Sequence, residues 1–308
     1  MKKVLKCGQL FDANCGTVLQ DMAVVIEENR ITEVTPAAGV CCKDAEVIDL
    51  SDKFVMPGLI DAHVHINMNG EASMQYAVTS DATAAINSMI YAQRDLMAGF
   101  TTLRDEGAQG YSDVAVRDAI NAGKISGPRI SCSGEAIGGT GGHADSHFLP
   151  SVTGKHAFGQ IIDGPDAGRK AARTAFKYGA DQIKIMATGG VMSYGDEPGA
   201  PELTYEEMKA IIDVAASKGK ITSAHAHGAE GIKIAIRAGI TSIEHGMLMD
   251  DECIDMMAEH GTYLIPTIIA AHNIVVNGVA SGIPAWAVEK AERCLENHYV
   301  NLKKCMDK

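Results

Sequence analysis

The residues best suited to chemistry are histidines spaced two apart. His63 and His65 end the run GLIDAHVH, and His225 and His227 end a second run, ITSAHAH. Side chains two residues apart on a β-strand point to the same face, so each pair can present two imidazoles to one metal ion. An isolated His-x-His motif is weak evidence, because pairs of structural histidines produce it more often than metal ligands do.

The position of these pairs strengthens the metal-site hypothesis. A third β-rich run ends in Glu244-His245-Gly246. The C-terminal ends of parallel strands are where barrel enzymes carry their chemistry. We therefore predict that these histidines converge at one mouth of a barrel. Four others fall in stretches that we interpret as helix or ordinary loop, and we expect them to be structural or exposed: His156, His260, His272 and His298.

Lys184 lies in the apolar run Gln182-Ile183-Lys184-Ile185-Met186. A lysine on a buried strand is costly unless it is paired, although its stem could also carry the charge to the barrel rim. Burial favours the neutral amine, which can react with carbon dioxide to form a carbamate. Such a lysine carbamate could bridge two divalent metal ions held about 3.5–4 Å apart. With the histidines nearby, we favour the bridge.

The elements that must position these residues alternate between strand and helix from Phe54 onward. Helical stretches end in a glycine, the favoured residue just past a helix end, and a β-rich run follows each. This alternation predicts a TIM-type (β/α)8 barrel, because it implies parallel strands whose C-terminal ends are polar. The seven predicted strands begin at Val55, Phe100, Arg129, Asp181, Ile221, Ile240 and Thr262, and the glycines are Gly99, Gly123, Gly179, Gly219, Gly239 and Gly261.

Residues 1–56 follow a different pattern, in which short apolar strands alternate with turns and helical periodicity is missing. We interpret them as the N-terminal part of a small β-sandwich domain, and residues 57–308 as the barrel. Thr204 and Glu207 predict a capping box at a helix start. The glycine-rich connections 138–162 and 189–203 are long enough to be functional loops.

Composition excludes several other classes of function. The chain has 308 residues, 46% of them hydrophobic and 21% charged, with a formal net charge of −12. Because there is no basic run, nucleic acid is not an expected partner. There is neither an apolar stretch of membrane-spanning length nor a secretory leader, so we expect a cytoplasmic protein that does not enter membranes. The eight cysteines are scattered, which is typical of reduced, buried thiols.

Read in order, the motifs PGLIDAHVHI, GFTTLRDEG, IKIMATGGVMS and SAHAHGAEGIKIAIRAGITSIEHG resemble those of the amidohydrolase superfamily. The resemblance is greatest to its prolidase-like branch of metal-dependent dipeptidases and carboxypeptidases, and it extends over essentially the whole chain. It implies two divalent metal ions, zinc in our interpretation. The metal ligands that it implies are His63, His65, Lys184, His225 and His245.

The same resemblance implies two residues that act on the substrate. His143, in Gly141-Gly142-His143, matches a substrate-contacting histidine of the branch. His227 matches a position that contacts the carboxylate of the substrate. Histidines in glycine-rich loops often only cap backbone groups, which is the structural alternative for both.

The chain departs from the family pattern in two places. Deaminase relatives carry a glutamate where this chain has Gly228, which argues against a deaminase. The superfamily also takes a metal-binding aspartate from strand eight, and no such strand follows the helical stretch that ends near Lys308. We therefore expect a barrel with seven evident strands and the eighth missing, and a chain that is inactive or nearly inactive alone.

The function that these residues predict is metal-assisted hydrolysis of an amide bond in a dipeptide or N-acyl amino acid with a free carboxylate. His143 would help to stabilise the developing oxyanion. Two alternatives stay open: a cyclic amidohydrolase of the imidazolonepropionase type, and a catalytically silent metal-binding fragment. We also expect a homo-oligomer.

Overall fold

A computed structural model describes residues 2–68, 79–145 and 159–308. The chain divides into two compact units, Met1–Leu59 and Ile60–Lys308. No helix among the described residues is long and apolar enough to cross a membrane.

The first unit contains a four-stranded sheet with the strand order β3-β2-β1-β4. Strands β1 and β2 pair antiparallel, whereas β1 and β4 pair parallel. Val4, Ala23 and Val25 form one apolar cluster, and Val24 belongs to a second one because successive side chains alternate between the faces. Assembly of this sheet into a sandwich stays a prediction. The strands are β1 (Lys2–Asp12), β2 (Thr17–Glu27), β3 (Arg30–Pro36) and β4 (Ala45–Val55).

The second unit alternates strands and helices. Its strands are β5 (Leu59–Val64), β6 (Phe100–Asp105), β7 (Arg129–Cys132), β8 (Ala136–Gly139), β9 (Gly159–Ile162), β10 (Ile183–Met186), β11 (Thr222–Gly228), β12 (Ser242–Leu248) and β13 (Tyr263–Ile265). Its helices are α1 (Asp81–Met97), α2 (Ser112–Asn121), α3 (Pro165–Lys177), α4 (Tyr205–Ala216), α5 (Ala229–Ala238), α6 (Asp251–His260), α7 (Ile268–Asn277) and α8 (Ala285–Met306).

These strands form two sheets, with the orders β5-β6-β7 and β13-β12-β11-β10-β8-β9. The pairings within the larger sheet are parallel, as the strand-helix alternation predicts. The predicted strand at Arg129 is split into β7 and β8, with Gly134 between them at φ 67°. Strand β9 lies at the end of the connection 138–162, where we did not predict a strand. Closure into an eight-stranded barrel stays an interpretation.

The predicted helix ends are confirmed. All six glycines named above have a positive φ, the conformation that glycine adopts without steric cost at a helix end. Thr204 and Glu207 form the predicted capping box at the start of α4: the Thr204 side chain accepts from the Glu207 amide, and the Glu207 carboxylate accepts from the Thr204 amide.

The core lies between the larger sheet and helices α3, α4 and α5. Ile183 and Ile185 of β10 and Ile243 of β12 pack with residues such as Met208 and Ile236 of the helices. Each large apolar side chain buried in this way contributes about 1.5–3 kcal/mol. Because side chains alternate along a strand, the intervening residues face away from these helices. On β10 and β11 those positions hold Lys184, Ser223, His225 and His227.

His245 on β12 does not follow this alternation. Ser242 and Glu244 share one face of the strand, so a regular strand would turn His245 towards the helices. Instead His245 has φ 72° and Gly246 has φ 61°, both in the left-handed region. This break in the strand lets Glu244 and His245 reach the same site. A non-glycine residue rarely adopts this conformation, and such strain is concentrated at functional sites.

Candidate metal centre

The structure brings the predicted histidines together at the C-terminal ends of the strands. The ring centroid of His63 lies 5.4 Å from that of His65 and 4.8 Å from that of His245. The His225 ring lies 4.7 Å from His245 and 4.7 Å from His227. Residues from β5, β11 and β12 thus form one imidazole cluster, as the strand-end positions predict.

Lys184 of β10 lies in the same region and is only 1% exposed. Its Nζ is 3.3 Å from Oε2 of Glu106, which is itself fully buried. The lysine therefore does not reach bulk solvent at the barrel rim. It has a carboxylate partner that our sequence analysis did not identify.

Glu106 is the first residue after β6, and it receives several donors. The Ser223 hydroxyl donates to Oε2 at 2.5 Å, and the Gln182 amide donates to Oε1 at 3.0 Å. Nε of Arg104 lies 3.0 Å from Oε1. A signal was present in the sequence, because the motif LRDEG places an acidic residue at a predicted strand end, the position from which we took the histidines.

Glu244 of β12 is the second carboxylate that we missed. Its Oε2 lies 2.7 Å from Nδ1 of His63. Its Oε1 accepts from Arg104 at 2.8 Å and from the Ser242 hydroxyl at 2.6 Å. Ligand atoms of His63, Glu106 and Glu244 all lie within 4.8 Å of one another, which is close enough to hold a single metal ion. In the sequence, the position of Glu244 directly before His245 could have identified it.

The donor set fits divalent ions because the ring nitrogens are already oriented. Nδ1 of His63 bonds to Glu244, and Nδ1 of His65 bonds to the Gly107 carbonyl at 2.8 Å. Nδ1 of His245 lies 2.6 Å from Oγ1 of Thr267. Metal-binding histidines typically use one ring nitrogen in this way, which directs the other to the metal. In these three histidines Nε2 is the nitrogen that would ligate, whereas Nε2 of His225 lies 3.2 Å from the Gly189 carbonyl oxygen.

Burial keeps these imidazoles neutral, the form that binds metals. Desolvation is the largest cause of the shift in every ring, and neighbouring positive charge adds to it. The pKa of His65 falls to about 4, and that of His227 falls to about 3. The pKa values of His63, His225 and His245 also lie well below the ordinary imidazole value. Glu106 is affected in the opposite direction, since burial raises its pKa.

His143 follows β8 and reaches the cluster from the side. Its ring stacks on that of His225, with the centroids 4.1 Å apart. Its backbone amide donates to Oε2 of Glu202 at 2.8 Å, and its Nδ1 lies 2.7 Å from the Ser193 hydroxyl. Burial is the largest cause that raises the pKa of Glu202, to about 8.

His227 is buried at the end of β11, beside His225. Its ring is perpendicular to that of His225 and stacked with that of His245 at 5.0 Å. Its Nδ1 is a buried polar atom with no hydrogen-bond partner among the described residues. A polar atom left in this state is costly, so a ligand atom at this position would stabilise it.

The other described histidines differ in burial, and one of them, His298, is close enough to His227 to lower its pKa. His260 and His272 are exposed, as expected. His298 of α8 is 1% exposed, so of the two expected alternatives, structural or exposed, only the structural one fits it. It is buried because the face of α8 that carries it packs towards β12. His156 lies outside the described residues.

Parallel strands that present histidines, carboxylates and a buried lysine at their C-terminal ends have the arrangement on which enzymes with parallel strands and crossover helices build their active sites. Residues 54–308 match the model of the Amidohydrolase family. The chain therefore belongs to this family.

Individual relatives agree with this assignment. The chain is 33% identical over 271 residues to ochratoxinase from Aspergillus niger, an alignment that covers 82% of this chain and 56% of the relative. It thus spans about half the length of the curated relatives it matches. A solved Xaa-Pro dipeptidase with methionine bound in its active site is 34% identical, with a TM-score of 0.89 over 100% of this chain and 77% of that one. A solved prolidase complexed with N-methylphosphonate-L-proline is also 34% identical, with a TM-score of 0.91 over 100% and 76%. The resemblance to the prolidase-like branch is confirmed.

Proposed function

We propose that the protein is a binuclear metal-dependent hydrolase that cleaves the amide bond of a dipeptide or N-acyl amino acid. The observation that carries the proposal is the cluster of buried, neutral imidazoles beside the fully buried Lys184, in which the protein holds Nδ1 of His63, His65 and His245. The two solved relatives add the substrate class, because their described ligands are an amino acid and a proline derivative.

The metal ligands in this proposal are His63, His65, Lys184, His225 and His245. When bound, divalent ions supply Lewis acidity, which lowers the pKa of water and polarises a carbonyl group. Glu244 and the Gly107 carbonyl keep His63 and His65 in a ligating orientation. We propose zinc, because imidazole nitrogens with few oxygen ligands suit it.

Lys184 enters the proposal as a carbamate. The ammonium first loses one proton; the neutral amine then attacks carbon dioxide, forms one N–C bond as a C=O π bond breaks, and loses a second proton. The side chain thus changes from a cation to an anion. With Lys184 as an ammonium, it and Arg104 balance the charges of Glu106 and Glu244. With a carbamate, three anions face one cation, and the excess negative charge requires metal ions. We therefore expect carbamylation and metal binding to be coupled.

His143 and His227 would act on the substrate. His227 places an unpartnered buried Nδ1 next to the imidazole cluster, which suits a carboxylate oxygen of a free amino acid end. His143 stacks on the His225 ring, where it can contact the group that is cleaved. The substrate would then lie across His225 with its carboxylate at His227.

The test combines metal analysis with a substrate panel of dipeptides, N-acyl amino acids and cyclic amides. We expect about two metal equivalents per chain. The assay also tests the expectation that the chain alone is inactive or nearly so, and any turnover should be restricted to substrates with a free carboxylate. His143→Ala and His227→Ala should lower turnover at near-normal metal content, whereas the exposed His260→Ala is the matched control. Turnover of cyclic amides alone would favour the imidazolonepropionase type. Bound metal without any turnover would favour a silent metal-binding protein.

A further inference from the structure

A buried lysine on α8 holds the connection 189–203 against the site. Lys290 is only 7% exposed. Its Nζ donates to the carbonyl oxygens of Gly190 at 3.2 Å, Ser193 at 2.8 Å and Asp196 at 2.5 Å. It also lies 3.0 Å from Oδ1 of Asp196. A lysine is rarely buried unless its charge is compensated, and here a carboxylate and three carbonyl groups compensate it.

The second oxygen of Asp196 continues this set of contacts towards His143. Oδ2 accepts from the Gly190 amide at 2.9 Å and from the Ser193 hydroxyl at 2.5 Å. The same Ser193 oxygen lies 2.7 Å from Nδ1 of His143. The contacts therefore run without interruption from Lys290 through Asp196 and Ser193 to the imidazole. Lys290 and Asp196 are 94 residues apart in the chain, so α8 crosses to the loop only in the folded protein.

The positions of the protons follow from the chemistry of these groups. An ionised carboxylate only accepts, so the single hydroxyl proton of Ser193 points to Asp196. The Ser193 oxygen can then only accept from His143, which requires a proton on Nδ1. In a neutral imidazole the lone pair is consequently on Nε2. Although burial acts in the opposite direction, hydrogen bonds from Ser193, Gly190 and Lys290 keep the pKa of Asp196 below its ordinary value.

We propose that Lys290, Asp196 and Ser193 are positioning residues that fix His143 in the Nδ1–H tautomer and direct its Nε2 lone pair to the substrate. This inference rests on the proposed function only in taking a substrate as the partner of Nε2, since the tautomer is a property of the protein itself. It also revises the role that we expected for His143. A neutral ring with its lone pair on Nε2 accepts a hydrogen bond there, so it does not donate one to an oxyanion.

The tautomer can be measured without any assay of activity. We would label the protein with ¹⁵N-histidine and record long-range ¹H–¹⁵N correlation spectra at about pH 8.5, roughly two units above the ordinary imidazole pKa. His143→Ala identifies the His143 signals. We expect the wild-type ring to carry its proton on Nδ1, and Ser193→Ala to give a mixture of tautomers. Ser193→Thr, which retains the hydroxyl, should restore the Nδ1–H form.

Two further variants test the contacts at Lys290, which are the most distant from His143. Lys290→Met should also give mixed tautomers, because Asp196 loses its countercharge. Lys233→Met is the matched control: Lys233 is another buried lysine, paired with Asp250 and Glu252, and it should leave the His143 signals unchanged. If Lys290→Met does not fold, Ser193→Ala decides alone, because it removes a single oxygen atom.

Kinetics supply a second readout. Ser193→Ala should lower kcat about tenfold at unchanged metal content, the effect of roughly one hydrogen bond. A wild-type ring protonated on Nε2, or a Ser193→Ala spectrum identical to the wild type, would overturn the inference. Lack of hydrolysis by the wild-type protein would instead count against the proposed function and leave the tautomer result standing.

Discussion

At the scale of single residues, the site depends on carboxylates as much as on histidines. Glu244 bonds to Nδ1 of His63, and Glu106 pairs with Lys184. Arg104 connects the two carboxylates through its guanidinium group. These contacts decide which nitrogen of His63 can ligate a metal and which charge Lys184 faces. Substitution of Glu244 tests the orientation of His63, and substitution of Lys184 tests the charge at that position.

Lys184→Met should lose at least one of two metal equivalents, because it removes the bridging anion. Elemental analysis of the purified protein measures this directly, and a short carboxylic acid such as propionate should partly restore binding. Lys233→Met is again the matched control, since it removes a buried lysine that pairs with Asp250 and Glu252. Normal metal content in Lys184→Met would rule out the bridge.

Glu244→Gln should weaken metal binding by roughly 10–100-fold, the usual effect of removing a carboxylate that orients a ligating histidine. The amide still fills the space, but it can present its NH₂ group to His63 and no longer balances Arg104. Titration of the metal-free protein with Co²⁺ measures the affinity. The control is Glu252→Gln, because Glu252 is an exposed glutamate that pairs with Lys233. This variant should bind Co²⁺ as the wild type does. Equal affinity in both variants would remove Glu244 from the site.

At the scale of elements, the decisive feature is the end of β12. His245 and Gly246 adopt left-handed conformations in succession, so the strand presents Glu244 and His245 to the same site. Thr267, just before α7, then bonds to Nδ1 of His245. Asn301 of α8 donates to the Met249 carbonyl at 2.9 Å, which holds the segment after the break. The geometry of one strand end thus depends on two later helices.

Gly246→Ala tests this strand end. A Cβ at Gly246 would lie 2.5 Å from Cε of Met249 and 2.9 Å from Cδ1 of Leu264, in addition to the left-handed strain. We expect a loss of about 1–2 kcal/mol in the free energy of unfolding from the strain alone, and weaker metal binding as His245 shifts. Gly123→Ala is the control: it has φ 67° but nothing within 4 Å of the added Cβ. A Gly246→Ala protein that binds metal normally would show that the strand break is not needed for the site.

At the scale of the whole molecule, the second unit buries several titratable groups close together. Five imidazoles from three strands are held neutral in one region. In the unfolded chain each would titrate near pH 6.5. This difference couples folding of the second unit to pH, and metal ions that bind the neutral rings would strengthen the same preference.

The metal-free protein should therefore lose stability as the pH falls below about 6.5. Between that value and the folded pKa values, about 4 for His65 and about 3 for His227, the unfolded chain binds more protons than the native state. Glu202 acts in the opposite direction: its raised pKa of about 8 adds stability that is lost as the pH rises through that value. Burial also raises the pKa of Asp105, Glu106 and Asp113, which act in the same direction as Glu202. The histidine contribution is therefore measured as a difference: from about pH 4 to 6.5 the urea unfolding midpoint should rise more steeply for the wild type than for His227→Ala, because the variant lacks one buried neutral imidazole. The same pH dependence in both proteins would contradict the prediction.

Local patterns in the sequence were sufficient for much of this description. A period of two placed His63 with His65 and His225 with His227, because adjacent strand residues alternate between faces. The glycines that end helices and the capping box at Thr204 could also be predicted, because each depends on the conformation of a few neighbouring residues. These local rules also placed Lys184 on a buried strand.

Only the tertiary structure decided which distant residues complete the site. Glu244 meets His63 across 181 residues of chain, and Glu106 meets Ser223 across 117, so neither contact leaves a local pattern. The alternation rule alone would have turned His245 away, and only the left-handed backbone brings it to the cluster. Lys290 illustrates the same limit, since nothing near it in the sequence indicates that its ammonium holds a loop beside His143. The direction of side chains along a strand is determined by neighbouring residues in the sequence. The pairing of buried charges is determined by which elements pack together, because each buried charge needs a partner on an element that it contacts.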